Sequence, residues 1–398
     1  MKALFISASM TELKMNFISI ADYFKSKDES FEAVFVNVDT SSYTVQSIEE
    51  ESYRILVSKG YEVKTIKSFN RNKIRRKLKE INPDYLFSVS MNVGNELWNS
   101  ICKECKIPVY LYPHGFQIDN LFYHKKQLLG KYIKLLRYTY CLYNISKEIN
   151  RPFPQLFKAY VNYIGKGSDM KGTALDDPRL YPNVVFIYSE HYKGFWERKY
   201  GIRNINYEYI MPHDFSIVEQ VLAEPEEDAA CYITQTLHQD GRLSDDEYKE
   251  LINSLRPVAN AVKKLCVKLH PRVESTDYEK VFKGLDNVEI TRDFPHCKCY
   301  FTHYSSMAYL SALISGKTII YELPGQPTHD VFKTVATEVV HNVPELVEAL
   351  KRQMNLPEKP FEERKKIISK YATYTGVSPY EVLYKTVYNK KYWCPIKK

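Results

Sequence analysis

The chain has 398 residues, 44% of them hydrophobic, which is more than one core usually holds and excludes a disordered or fibrous protein. Its 56 Lys and Arg against 48 Asp and Glu give a formal charge of +8, which favours anionic partners without choosing among nucleotides, acidic sugars and lipid headgroups. The opening apolar run, Leu4-Phe5-Ile6, is too short for a signal peptide, and no window approaches the roughly 20 apolar residues of a membrane span. A cytoplasmic protein is expected, soluble or peripheral on the inner face of the inner membrane.

Apolar, β-branched runs at 3–8, 33–38, 61–66, 85–89, 108–112 and 184–189 predict parallel strands buried on both faces. Helical patterns lie between them, as at 72–81 before Pro83, so the first half reads as βαβ units. A polar, acidic stretch from Glu224 to Asp228 reads as a linker. A second strand series follows at 231–237, 265–269, 288–291, 299–302 and 318–323. Ser244 and Glu247 form a capping box opening a helix toward Val262, and Gly316 suits the cap of a helix at 307–315. Further helices are expected at 344–354, 361–371 and 379–388. The fold class is α/β, with an N-terminal Rossmann-like acceptor domain at 1–222, a C-terminal donor domain at 223–372 and a helical tail at 373–398.

The eight cysteines are scattered through strands and helices, which suits a reducing compartment. Cys102-x-x-Cys105 and Cys297-x-Cys299 lie in no Gly-rich knuckle, so buried thiols are expected there rather than zinc.

Chemistry concentrates in the second half. Lys268-Leu269-His270-Pro271-Arg272 sets an imidazole between two cations at a strand's carboxyl end, where open α/β sheets bind ligands. That is a phosphate-binding composition. Ser305 and Ser306 follow another strand and open a helix, supplying two hydroxyls and the positive end of a helix dipole to a phosphate. Capping alone would account for Ser305. Between them in the cleft, the loop that carries Gln235, Gln239, Asp240 and Gly241 offers a carboxylate to a sugar anomeric carbon. A plain Asp-Gly turn accounts for it equally well.

In the first half, His114 and Gly115 follow a strand end, where the imidazole can serve as base toward an acceptor hydroxyl or orient an acidic sugar. Glu190 closes a later strand in the same way and is a further acid–base candidate. Between 121 and 168 the basic residues far outnumber the acidic ones, and Lys131, Lys134 and Arg137 share one helical face. That face fits an anionic membrane surface or an acidic acceptor glycan, and equally a solvated face over an ordinary core.

The segment Lys268 to Arg272 resembles the His-Pro motif, and Ser305-Ser306 the serine motif, of bacterial transferases that use CMP-sugars, the sialyltransferases and capsule Kdo transferases. The loop ending in Asp240-Gly241 looks closest to the retaining β-Kdo transferase domain of WbbB type. The resemblance implies the GT-B fold, two Rossmann-like domains facing across a cleft, with C-terminal helices packing back toward the first. It implies a metal-independent, cofactor-free enzyme taking CMP-β-Kdo as donor and a lipid-linked O-antigen or capsule glycan as acceptor. By the same resemblance His270, Ser305 and Ser306 would hold the CMP phosphate and Asp240 would form a covalent Kdo adduct, with other glycosyltransferase modules as companions. A sialyltransferase's two acidic residues and glycine after a first-domain strand are not found, and His114-Gly115 is also similar to polymerases that use CDP-polyols. The alternatives are therefore a CDP-polyol phosphotransferase or a sialyltransferase of the same fold. A basic nucleic-acid or membrane-surface binding protein is the rival outside enzymes, though no nucleic-acid-binding signature is present and no nucleic-acid partner is expected.

Overall fold

The computed structural model describes residues 1–38, 46–66, 68–89, 91–113, 115–116, 125–166, 177–200, 205–239 and 241–389. They form two units, each built on one parallel sheet. The first comprises Met1–Ile210 with Val377–Lys398, and the second Met211–Gly376.

The first sheet holds β1 (Lys2–Ser7), β2 (Glu32–Asn37), β3 (Glu62–Thr65), β4 (Tyr85–Ser88), β5 (Val109–Leu111), β6 (Val184–Ile187) and β7 (Asn206–Tyr209). Their order is β3-β2-β1-β4-β5-β6-β7, with every pairing parallel. The apolar runs become strands because both faces are covered: Leu4, Phe5 and Ile6 are wholly buried. On one face Phe5 stacks on Phe35 at 5.1 Å and on Phe87 at 5.3 Å between ring centroids, which locks the three central strands together. Helix Arg71–Ile81 is capped by the Asn70 side chain and ends on Asn82 at φ 51°, ahead of Pro83. The C-terminal helix Pro379–Tyr388 packs on helix Met10–Lys27, with the Tyr384 ring 5.2 Å from that of Phe24. The tail thus returns to the first unit.

The second sheet holds β8 (Glu227–Ile233), β9 (Leu265–Lys268), β10 (Val288–Thr291), β11 (Cys297–Thr302), β12 (Thr318–Tyr321) and β13 (Glu338–Val340). Their order is β10-β9-β8-β11-β12-β13, again all parallel. The capping box forms as its sequence dictates: Ser244 Oγ accepts the Glu247 N–H and the Glu247 carboxylate accepts the Ser244 N–H. Gly316 follows helix Met307–Ile314 at φ +70°, which selects glycine, and a Cβ there would also stand 3.1 Å from Arg364 Cγ and press on that side chain.

The acidic stretch differs from its reading as a linker. Glu227 and Asp228 already stand in β8, where Lys264 and Lys298 neutralise them at 2.5 and 2.9 Å. The short helix Val218–Ala223 ahead of it packs on helix Met307–Ile314 and so belongs to the second unit. No helix among the described residues is long and apolar enough to cross a membrane.

Candidate functional site

Strand order reverses between β8 and β11 in the second sheet and between β1 and β4 in the first. In open parallel sheets ligands bind outside the carboxyl ends at such a switch point. The two switch points here have opposite electrostatic character.

In the first unit the helix start after β1 is filled by the chain's own carboxylate. Glu49 accepts from Ser9 Oγ at 2.5 Å, the Met10 N–H at 2.6 Å and Thr11 Oγ1 at 3.0 Å. The dipole end of helix Met10–Lys27 is thereby already paired with an anion, and a phosphate placed there would meet a like charge.

In the second unit the loops after β8, β9 and β11, three adjacent strands, bring the predicted residues to one edge. The His270 N–H donates to Thr234 Oγ1 at 2.7 Å, tying the turn after β9 to the end of β8, and the Thr234 N–H donates to the Lys268 carbonyl at 3.0 Å. His270 Nδ1 accepts the Arg272 N–H at 3.1 Å, which places the proton of a neutral ring on Nε2, where it is a donor suited to an anion. Arg272 Nη2 donates to Thr236 Oγ1 at 3.1 Å and so is held on the same edge. Lys268 is half-buried, and that burial pulls its ammonium below the usual lysine range.

At the end of β11, Ser305 is buried and Ser306 half-buried. Ser305 Oγ accepts the Met307 N–H at 3.1 Å, and the Ala308 and Tyr309 N–H groups bond back to the Ser305 and Ser306 carbonyls. The helix start is thus partly closed on itself, whereas the N–H groups of Ser305 and Ser306 bond to no described residue and are the donors left for a phosphate. Beside them Arg242 lays its guanidinium 3.9 Å from the centre of the Tyr304 ring. The neighbouring His303 is structural: it is buried, donates from Nδ1 to the Tyr321 carbonyl at 2.7 Å and accepts the Tyr232 hydroxyl on Nε2 at 2.8 Å. Burial pulls its pKa down to about 4, so it stays neutral.

Two further groups at this edge carry no sequence signal. Asp214, in the short helical turn His213–Ile217, accepts from Ser306 Oγ at 3.4 Å and pairs with His213 Nε2 at 3.1 Å. Burial pushes the Asp214 carboxyl up, but the His213 imidazolium, the Ser306 hydrogen bond and the Lys268 charge outweigh it and hold it below the usual range. The Asp214 charge in turn raises the His213 pKa.

Of the remaining predicted residues, Gln235 is buried with its amide on the Thr234 carbonyl, and Gln239 is exposed in the turn after β8. Asp240 and His114 lie outside the described residues. Gly115 adopts φ +64°, and a Cβ there would meet no described atom within 4 Å, so its conformation rather than crowding selects glycine. Glu190 opens helix Glu190–Tyr200, exposed, accepting from the Tyr209 hydroxyl, which holds its carboxyl below the usual range. Lys131, Lys134 and Arg137 fall in helix Lys125–Glu148, their side chains outside the described residues.

Besides Glu49, the first unit holds a buried acid that sequence reasoning missed. Glu96, in the first turn of helix Val93–Glu104 after β4, is wholly buried, and neither carboxyl oxygen has a hydrogen-bond partner among the described residues. Burial alone pushes its pKa up to about 8.

The sequence matches no protein-family model and none of the curated proteins. The structure is similar to solved ones over its whole length. Staphylococcus aureus MnaA, in a co-structure with UDP, superposes with a TM-score of 0.52 at 8% identity, covering 100% of this chain and 98% of that one. UDP-GlcNAc 2-epimerase from Neisseria meningitidis, bound to UDP-GlcNAc, gives 0.52 at 10% identity over 98% and 100%. UGT71G1 from Medicago truncatula, complexed with UDP-glucose, gives 0.50 at 10% over 98% and 98%. The chain has the GT-B fold. With seven and six parallel strands its two α/β units are those of that fold, as the resemblance implied.

Proposed function

We propose that the chain is a sugar-nucleotide-dependent glycosyltransferase whose second unit holds the donor phosphate between the His270–Arg272 turn and the Ser305-Ser306 helix start. The observation that carries this reading is the Thr234–His270 bond beside an edge lined by Lys268, His270, Arg272 and Arg242, against a first unit whose equivalent helix start is filled by Glu49. Cations and N–H donors converging on one sheet edge stabilise a departing phosphate without a metal. The solved structures of like fold that carry UDP or UDP-sugars support a nucleotide-sugar substrate class.

Within that class the donor proposed is CMP-β-Kdo and the acceptor a lipid-linked bacterial surface glycan, on the His-Pro and serine motif resemblance. In the double displacement this implies, a carboxylate attacks the anomeric carbon as CMP leaves, and the acceptor hydroxyl then displaces the carboxylate, so two inversions retain configuration. Asp240 is the nucleophile proposed. Asp214 is a described carboxylate on the same edge, ionised and beside Ser306, and it is suited to positioning that hydroxyl and balancing the cations around it.

The likeness to UDP-GlcNAc 2-epimerases favours a second reading, a sugar-nucleotide epimerase. One experiment separates the two. The full chain is incubated with CMP-Kdo, CMP-sialic acid, CDP-glycerol and UDP-GlcNAc in turn, with and without a glycan acceptor, and products are read by mass spectrometry and chromatography. CMP release with Kdo on the acceptor, lost in Asp240→Asn while CMP still binds, is the result expected. Epimerised UDP-sugar formed without acceptor would establish the rival, and turnover of CDP-glycerol alone would replace the donor.

A further inference from the structure

Arg242 is a fixed but unpaired cation at the carboxyl edge of the second sheet. Its guanidinium lies 3.9 Å from the centre of the Tyr304 ring, in the loop after β11 and immediately ahead of the Ser305-Ser306 helix start. Its backbone is held on both sides: the Arg242 N–H donates to the Leu237 carbonyl at 2.8 Å, and the Arg242 carbonyl accepts from Gln326 Nε2 at 2.6 Å. Gln326 is set in turn by a tight turn after β12, where its N–H donates to the Leu323 carbonyl at 3.0 Å. Loops after three adjacent strands, β8, β11 and β12, thus fix one side chain.

The fold itself makes little use of that charge. Arg242 is exposed and pairs with no carboxylate among the described residues. Acids carried by the same loops are engaged elsewhere, Glu322 with Lys333 at 2.6 Å and with the Thr328 N–H at 2.8 Å, and Asp245 with His238 at 2.5 Å. A guanidinium laid flat on an aromatic ring keeps its planar fork of N–H donors and is pre-organised for a bidentate anion. The donor phosphate has its own partners without Arg242: His270 Nε2, Arg272 and the N–H groups of Ser305 and Ser306.

We propose that Arg242 receives the carboxylate of the donor's sugar and so selects acid sugars over neutral ones. The inference rests on the reading of this edge as the site of a sugar-nucleotide phosphate. In a sugar acid whose carboxylate stands on the anomeric carbon, carboxylate and phosphate oxygen are borne by one atom, so the two anions arrive side by side. A site for such a donor needs a second cation next to its phosphate donors, and Tyr304 supplies the seat for one, since the residue after it is Ser305. The fork then makes two parallel charge-assisted hydrogen bonds that a neutral substituent at the same place cannot match. Once neutralised, the sugar carboxylate no longer repels an attacking carboxylate at the anomeric carbon. Tyr304 acts through Arg242, as a positioning residue.

The test titrates the full chain, without acceptor, with CMP, with CMP-Kdo and with the C1 methyl ester of CMP-Kdo, read by calorimetry. The wild type is expected to bind CMP-Kdo about tenfold or more tighter than the ester, which keeps the sugar and loses the charge. Arg242→Gln should weaken CMP-Kdo by a like factor and leave CMP and the ester within about twofold. Arg242→Lys keeps the charge without the fork and should fall between the two. Tyr304→Phe keeps the ring and should match the wild type, whereas Tyr304→Leu should lose part of the selectivity. Circular dichroism on each variant separates loss of recognition from loss of fold, and the comparison of acid with ester in the wild type needs no variant. A wild type that binds CMP but does not distinguish acid from ester, or selectivity that survives Arg242→Gln, would overturn the assignment and leave the phosphate site standing. Equal weakening of CMP and CMP-Kdo in Arg242→Gln would overturn it too, and make Arg242 a phosphate ligand. No binding of CMP by the wild type would overturn the reading of the edge itself, and the assignment with it.

Discussion

The Thr234 hydroxyl accepts the His270 backbone N–H at 2.7 Å, so the cationic turn after β9 takes its position from the end of β8. Thr234 is buried, and the turn it holds carries both His270 and, through Thr236, Arg272. Replacing it with valine keeps the shape and leaves that N–H without its acceptor. Thr234→Val should lower stability by about 1–3 kcal/mol, the penalty for an unpaired buried donor, and weaken nucleotide binding. Thr234→Ser keeps the acceptor and should restore most of both, as read by denaturant melts and calorimetric titration with CMP.

Asp214 sets a negative charge 3.4 Å from the Ser306 hydroxyl, on an edge proposed to hold a phosphate. Asp214→Asn should therefore bind free CMP more tightly, by about fivefold for roughly 1 kcal/mol of relieved repulsion, while turnover falls because Ser306 loses the carboxylate that orients its hydroxyl. The pair with His213 also leaves a pH signature. His213 has a raised pKa, so its share of the stabilisation is present below its unfolded value and is lost as pH rises through the folded one. Asp214 has a depressed pKa, so its share is lost as pH falls. In the Asn variant both limbs should flatten.

How far this edge was legible differs from residue to residue. The strands and the His270 turn were readable because apolar runs buried on two faces and a proline after a strand leave strong local patterns. β7 and β13 were not, being short edge strands of sequence Asn-Tyr-Glu-Tyr and Glu-Val-Val that bury little. Asp214 lies 92 residues from Ser306, and a His-Asp pair in a short turn has no spacing rule, so only the fold reveals it. Glu49 is likewise invisible to pattern reading, since its meaning lies in which helix start it fills.

His303 offers a prediction about stability alone. It is buried and neutral, with its pKa pulled from 6.5 to about 4. Between those values the unfolded chain binds a proton that the folded one refuses, so stability is lost as pH falls from about 6.5 toward 4. At about 1.4 kcal/mol per unit that loss amounts to about 3 kcal/mol. His303→Gln, which never titrates, should be less stable at pH 7 through its imperfect bonds to Tyr232 and Tyr321. Its acid limb should nonetheless be shallower, as urea melts from pH 4 to 7 would show.

Glu96 predicts the opposite pH dependence in the other unit. Its carboxyl is wholly buried without a hydrogen-bond partner among the described residues, and burial raises the pKa from 4.5 to about 8. Here the folded chain keeps a proton that the unfolded one releases, so stability falls as pH rises from about 4.5 to 8. At about 1.4 kcal/mol per unit the deficit reaches about 3 kcal/mol by pH 7 and about 5 kcal/mol by pH 8. Glu96→Gln abolishes the titration at nearly constant volume and should raise stability at pH 8 by several kcal/mol while changing little at pH 5. Thermal melts of both proteins at the two pH values decide it, and equal gains at both would show that volume or local packing, rather than an uncompensated carboxyl, sets the cost. Should the stabilised variant also lose the proposed turnover with nucleotide binding intact, the buried acid in the helix after β4 would be retained for the reaction rather than for the fold.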